Sequence, residues 1–143
     1  MNWNQAIKEY QQYLKIERGL SNNTVESYLR DLKKMVSYLD NMNIIETPIG
    51  IQQDTIQQFI YETAKKVSSR SQARLISGLR SFFEYLIFED LRDTNPTDLI
   101  ETPKIGRKLP ETLSEEEIDQ LINAIDLISS EGERNRAILE SLY

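Results

Sequence analysis

The stretch SSRSQARLISGLRSFFEYLIFE, Ser68 to Glu89, reads as one helix with two unlike faces. Leu75, Ile76, Leu79, Phe82, Phe83, Leu86 and Ile87 recur at helical spacing and make an apolar stripe. At about 100° per residue, Arg70, Arg74, Ser77 and Ser81 fall within about 60° of one another on the far side. From Lys65 to Arg80 the chain carries Lys65, Lys66, Arg70, Arg74 and Arg80 and no acid. A helix of this kind buries one side and turns arginines and hydroxyls outward, which suits an anionic partner.

The segments before it follow the same helical period. Trp3, Ala6, Ile7, Tyr10, Tyr13 and Leu14 predict a first amphipathic helix over residues ~3–18, with Gly19 placed to take the left-handed conformation that ends a helix. Ser21 offers an N-cap for a second helix over ~22–41. Its apolar side is Val25, Tyr28, Leu29, Leu32, Met35, Val36 and Leu39, and its far side carries Asn23, Ser27, Arg30, Lys34 and Ser37. Pro48 and Gly50 mark a loop. A third helix is expected over ~52–66, with Ile56, Phe59, Ile60 and Ala64 inward. Lys65 and Lys66 at its end complement the helix dipole. Each stripe must bury against another helix, so the fold class expected is all-α, with a four-helix bundle in the first ~90 residues. Tyr10, Tyr13, Phe59, Phe82, Phe83 and Tyr85 fall at packing positions and read as core.

Composition closes most routes to enzyme chemistry within these 143 residues. There is no cysteine and no histidine, which removes disulfides, thiolate or imidazole metal sites and the usual nucleophile–base pairs. The five glycines lie too far apart for a phosphate-cradling loop. No metal or other cofactor is expected. No apolar run approaches the ~20 residues that span a bilayer. MNWNQAIKEY lacks the basic and apolar regions of a signal peptide, and the lack of cysteine fits a reducing compartment, so a cytoplasmic location is expected.

The net charge of −6 argues at first against nucleic acid, but its distribution does not. Residues 1–108 hold 15 basic and 14 acidic side chains, whereas residues 109–143 hold 2 and 9. The acid is concentrated at the end. Charged helix faces are most often plain solvated surface. Here hydroxyl and amide side chains interleave with the cations, a mixture better suited to groove contacts than to solubility alone. A basic linker follows, and the helix faces and linker could form one track along a duplex.

After Leu91 the texture changes. Asn95-Pro96 predicts an N-cap and a short helical turn at ~96–100. Pro103, Gly106 and Pro110 then punctuate a linker that carries Lys104, Arg107 and Lys108. Ser114 and Glu117 form a capping box before Ile118, Leu121, Ile122 and Ile125. Glu115, Glu116 and Glu117 read as acids favoured in a first helical turn rather than as a metal site. A further helix begins near Glu133, and Tyr143 reads as packing. The ~35 residues after the linker are too few to bury a core of their own. The organisation expected is one domain over 1–103, a linker over 104–110, and the start of a truncated second domain over 111–143.

Three stretches together resemble a known family. GLSNNTVESYLRDLKKMVSYL, SSRSQARLISGLRSFFEYL and NPTDLIETPKIGRKLPETLSEEEIDQL are similar to the second helix, the fourth helix, and the linker and catalytic-domain entry of phage-integrase-type tyrosine recombinases, nearest to the Xer branch. The resemblance implies a SAM-like core-binding domain in residues 1–103, the first helices of a catalytic domain from 111, and double-stranded DNA recombination sites as partner. It also implies further recombinase protomers, four on two sites, and strand exchange through a 3′-phosphotyrosine in the full-length enzyme, with chromosome dimer resolution as the expected role. Carried over by position, Thr24, Ser27, Arg70, Ser71 and Arg74 are implied DNA contacts. The face pattern adds Arg30, Lys34, Ser77 and Lys108, and Thr24 rests on the resemblance alone. The family's first catalytic arginine belongs after AILESLY, so no catalytic residue is assigned in this chain. Two alternatives stand beside this reading: a mobile-element or phage integrase of the same family, and a non-catalytic helical bundle that docks on an acidic protein.

Overall fold

The computed structural model describes residues 1–106 and 109–142. Arg107, Lys108 and Tyr143 lie outside the described residues, so two of the three linker cations and the terminal tyrosine read above are not placed. The described residues are helical, with no strand among them, and divide into two units, Met1–Ile105 and Gly106–Tyr143.

The first unit holds four helices: α1 Trp3–Ile16, α2 Asn22–Asn41, α3 Gln53–Ala64 and α4 Ser69–Phe88. α4 is central, packing against α2 and α3, while α1 packs against α2. The stripes read from the sequence are the core. Ala6, Tyr10 and Leu14 of α1, Val25, Leu32, Met35 and Leu39 of α2, Ile56 and Phe59 of α3, and Leu75 to Leu86 of α4 form one buried cluster. Its centre is aromatic. The Phe82 ring meets Tyr10 edge-on at 5.3 Å, lies 6.1 Å from Trp3 and 5.2 Å from Phe83, and Tyr85 bridges Tyr10 and Tyr13 at 5.2 and 4.9 Å.

The helix ends explain the spacing. Ser21, Ser68 and Ser114 each accept a hydrogen bond from the backbone N–H three residues on, and Asn2 does the same for α1. Gly19, Asn43 and Asp90 take positive φ after α1, α2 and α4. The N–H groups of Leu20, Ile44 and Leu91 then reach back to Leu14, Leu39 and Leu86, closing the helix carbonyls while burying an apolar residue beyond the turn. α1 ends at Ile16, two residues before the expected stop, because Gly19 needs this turn in front of it.

Residues 96–99 form a turn where the short helical turn is expected, with Asn95 capping it. Asn95 turns its side chain inward. Its Oδ1 accepts from the Thr97 N–H at 2.9 Å and the Thr97 hydroxyl at 2.6 Å, with both residues buried. Two successive three-residue bonds, Asp98 to Asn95 and Ile100 to Thr97, give a pair of turns. Arg92 fastens this end: its Nη1 donates to the carbonyls of Pro48 and Ile51, with the guanidinium over the Phe83 ring.

The second unit holds α5 Glu115–Asn123 and α6 Ser130–Leu142. The capping box of Ser114 and Glu117 is present. α6 starts three residues earlier than expected because Ser129 caps it, its Oγ accepting the Gly132 N–H at 3.0 Å. Gly132 has no substitute there, since a Cβ would fall 1.7 Å from the Asp126 carbonyl oxygen. Buried side-chain surface is scant in this unit: Ile122 is covered, while Leu113, Leu121, Ile128 and Leu142 are exposed.

Two predictions follow from the packing of the first unit. Phe82→Ala should cost about 3–5 kcal/mol in denaturant unfolding, because the ring is fully buried against the aromatic rings of α1 and α4. Ser81→Ala, which removes only the acceptor for Tyr10, should cost about 1 kcal/mol. A third concerns alkaline pH. Burial, reinforced by Glu89, Glu9 and Glu17, pushes the Tyr85 phenol up to about 12, and burial pushes Tyr10 up as well against the opposing Ser81 hydrogen bond. A raised phenol means that the fold favours the neutral form. This stabilisation is complete below the ordinary tyrosine value near ~10 and is lost as pH rises towards about 12 and beyond. Thermal melting followed by circular dichroism should therefore be flat with pH on this account up to about 10 and fall steeply above it.

Candidate nucleic-acid interface

α2 and α4 begin in the same way. The cap serine takes the N–H of the third helical residue, and that residue is itself a hydroxyl amino acid, Thr24 in α2 and Ser71 in α4. The paired hydroxyls touch, Ser21 to Thr24 at 2.9 Å and Ser68 to Ser71 at 3.1 Å. In the second pair Ser68 donates to Ser71, which leaves the Ser71 hydroxyl proton available to an outside acceptor. Neither helix has an acid in its first turn, so the partial positive charge of each N-terminus is uncompensated by a side chain there.

The outward cations divide into two kinds. Arg30, Lys34 and Arg70 are exposed, and none is within salt-bridge distance of a carboxylate among the described residues. Ser77 is exposed and Ser27 half-buried. Arg74 differs. Its Nη1 and Nη2 donate to Asp31 Oδ2 and Oδ1, both at 2.9 Å, and the Asp31 carboxylate is fully buried. The Arg74 side chain nonetheless keeps 44 % of its surface exposed. The cation expected to stand outward alone is thus one half of a bidentate pair that joins α2 to α4.

Ser81 departs from the expected outward face. It is half-buried and accepts the Tyr10 hydroxyl at 2.9 Å, so it turns towards α1. Arg80 is half-buried and donates to the Ile100 carbonyl. Within α2, Arg30 borders a shallow hollow with Gln11, Lys33 and Glu26, while Lys34 borders a cleft with Tyr38, Phe59, Lys66 and Glu62. Lys66 therefore shares a rim with Lys34, a neighbourhood its place at the end of α3 did not reveal. Lys108 lies outside the described residues.

Asp31 was not read from the sequence as part of this surface, although a signal exists. It stands three residues after Tyr28 and four before Met35, on the edge of the apolar stripe, where a solvated aspartate does not belong. Gly78 is its counterpart. A Cβ at Gly78 would lie 3.1 Å from Asp31 Oδ2 and 3.6 Å from the Tyr28 ring, so the glycine lets α4 approach α2 closely enough for the pair to form.

No helix among the described residues is long and apolar enough to cross a membrane. A bundle of four short helices with hydroxyl and guanidinium groups on two of them is a pattern shared with a known class. Residues 7–90 match the phage integrase N-terminal SAM-like domain, and the chain belongs to that family. Its relatives include the tyrosine recombinase XerD of Staphylococcus haemolyticus, 42% identical over 138 residues, which are 96% of this chain and 46% of that protein. XerD of Listeria innocua is 37% identical over 141 residues, 98% of this chain and 48% of that one. XerD of Halalkalibacterium halodurans is 36% identical over 141 residues, 98% and 47%. The chain spans about half the length of the curated relatives it matches.

The Asp31–Arg74 pair gives a direct prediction. Arg74→Ala leaves the Asp31 carboxylate buried without a partner and should destabilise the first unit by about 3–5 kcal/mol in urea unfolding. Asp31→Leu combined with Arg74→Met should recover most of that loss, since a buried ion pair replaced by apolar groups of similar size is often neutral.

Proposed function

We propose that this chain is the DNA-binding N-terminal part of a site-specific tyrosine recombinase of the XerD type. The observation that carries the reading is the set of hydroxyls, Thr24, Ser27, Ser71 and Ser77, and of cations in no salt bridge among the described residues, Arg30, Lys34 and Arg70, on α2 and α4, with the Arg74 fork and two acid-free helix starts. Arginine and lysine contacts to phosphates supply the affinity, and the serine and threonine hydroxyls fix register along the backbone. Lys108, outside the described residues, is kept as a candidate contact on sequence grounds alone. The full-length protein would cut and rejoin strands at two duplex sites as an assembly of protomers in the cytoplasm, passing through a phosphotyrosine, with separation of joined chromosomes as its role. Residues 111–143 would be the entry of the catalytic domain. These 143 residues supply the grip and not the cut, so the chain alone should bind duplex DNA without cleaving it.

Arg74→Glu is a poor probe of this reading, because it would set two carboxylates against each other in a buried place and unfold the bundle. Arg30 and Arg70 avoid that. Binding of the chain to a short mixed-sequence duplex should weaken with salt at a log–log slope of about −4 to −5, as expected for roughly five neutralised phosphates. Arg70→Ala should reduce that slope in magnitude by about 1. Arg30→Glu with Arg70→Glu should abolish measurable binding at moderate salt while leaving helicity unchanged. No duplex binding at low salt, or binding insensitive to salt, would reject the proposal.

A further inference from the structure

Asp31 is a buried carboxylate on the proposed DNA-reading surface, and neither the family match nor the face pattern gives it a role. Its hydrogen-bond partner among the described residues is Arg74, through both oxygens. A guanidinium has five N–H donors. Two are spent on Asp31, one from each terminal nitrogen. The Nε–H and the second hydrogen of each terminal nitrogen remain, on the edges of the fork that the carboxylate does not face. Those edges belong to a side chain that is 44 % exposed. The carboxylate is fully buried against α4, where even a Cβ at Gly78 would come within 3.1 Å of Oδ2.

We propose that Asp31 is a positioning residue for Arg74. It holds the guanidinium in one orientation between α2 and α4, so that its three remaining donors are set for a DNA phosphate or base edge before the duplex arrives. This rests on the DNA-binding reading above and deepens it. A long arginine ordinarily loses rotamer freedom on binding, and an arginine already clamped does not. Arginine suits the role better than lysine because its planar fork serves a carboxylate on one edge and a second acceptor on another.

The proposal makes a claim about sign. Asp31 is a negative charge beside a surface meant for a polyanion. If it were only a charge, Asp31→Asn would tighten DNA binding, since the surface becomes more positive. If it positions Arg74, the same change weakens binding in spite of the added positive charge. A role confined to stability moves the melting temperature and leaves the affinity of the folded protein alone.

The experiment is equilibrium fluorescence anisotropy of the 143-residue chain with a short mixed-sequence B-form DNA duplex at low salt. Circular dichroism confirms that each variant is folded at the working temperature. Asp31→Asn should bind about three- to tenfold more weakly than the unaltered chain. In an Arg74→Ala background, adding Asp31→Asn should cause no further loss. Asp31→Asn binding as tightly as the unaltered chain, or more tightly, overturns the positioning role and leaves the DNA-binding reading standing. Failure of the unaltered chain to bind overturns both. Should Asp31→Asn not fold, Arg74→Lys replaces it, since the ammonium still neutralises Asp31 but has no fork. It should lose affinity to a similar degree at unchanged net charge, and equal affinity would overturn the proposal.

Discussion

The contact between α2 and α4 depends on a carboxylate shut away from water. An ionised aspartate at zero exposure is costly unless a cation and good hydrogen bonds compensate it, and Asp31 has both from one residue, Arg74. That requirement reaches outward through the bundle. It demands an arginine at one place on α4 and, one turn later, a glycine, where a methyl group would press on Oδ2 and meet the Tyr28 ring. A hydrophobic contact alone would let two helices slide by small steps at little cost. A bidentate pair fixes the register of α2 on α4, and so fixes the spacing of everything the two helices display.

The rest of the first unit holds that pair in place. The aromatic cluster of Tyr10, Phe82 and Tyr85 sets α1 against α4 on another flank, and Tyr10 adds a directional bond to Ser81. Arg92 anchors the loop before α3 to the end of α4 through two carbonyls and the face of Phe83. Three left-handed turns, at Gly19, Asn43 and Asp90, end three helices in the same way and bury the apolar residue that follows or support its return to the core.

Much of this was legible in the sequence because it follows local rules. The 3.6-residue period placed four helices within a few residues of where they stand, and the cap serines marked the starts of α2 and α5. Turn chemistry was partly legible. Asn95-Pro96 marks the turn at 96–99, with Asn95 accepting the Thr97 N–H, but the second bond to the same oxygen, from the Thr97 hydroxyl, was not read. Ser129, an unremarked serine, outbid Glu133 as the start of α6. Pairings across the bundle were the least visible. A helical wheel shows that Arg74 leans away from the core. It does not show what stands on the neighbouring helix, so Asp31 went unread and Arg74 was taken as an isolated cation. Ser81 failed for the same reason, since its partner Tyr10 lies 71 residues away in the chain.

Net charge proves a weak guide here because the fold sorts charges by use. Several cations are committed internally: Arg80 to the Ile100 carbonyl, Arg92 to the carbonyls of Pro48 and Ile51, Lys65 to Glu62, Arg136 to Glu140. The acids concentrated in residues 109–143 sit largely in the first turns of α5 and α6, where the helix dipole accounts for them. What is left on α2 and the start of α4 is Arg30, Lys33, Lys34 and Arg70, none in a salt bridge among the described residues, and Arg74 with a carboxylate placed beneath it. An electrostatic surface is decided by the cations the fold has not already spent. Arg74 occupies a middle position, partly neutralised yet immobilised. On the proposed DNA-binding reading, a donor fixed in direction offsets the charge that Asp31 removes from the surface.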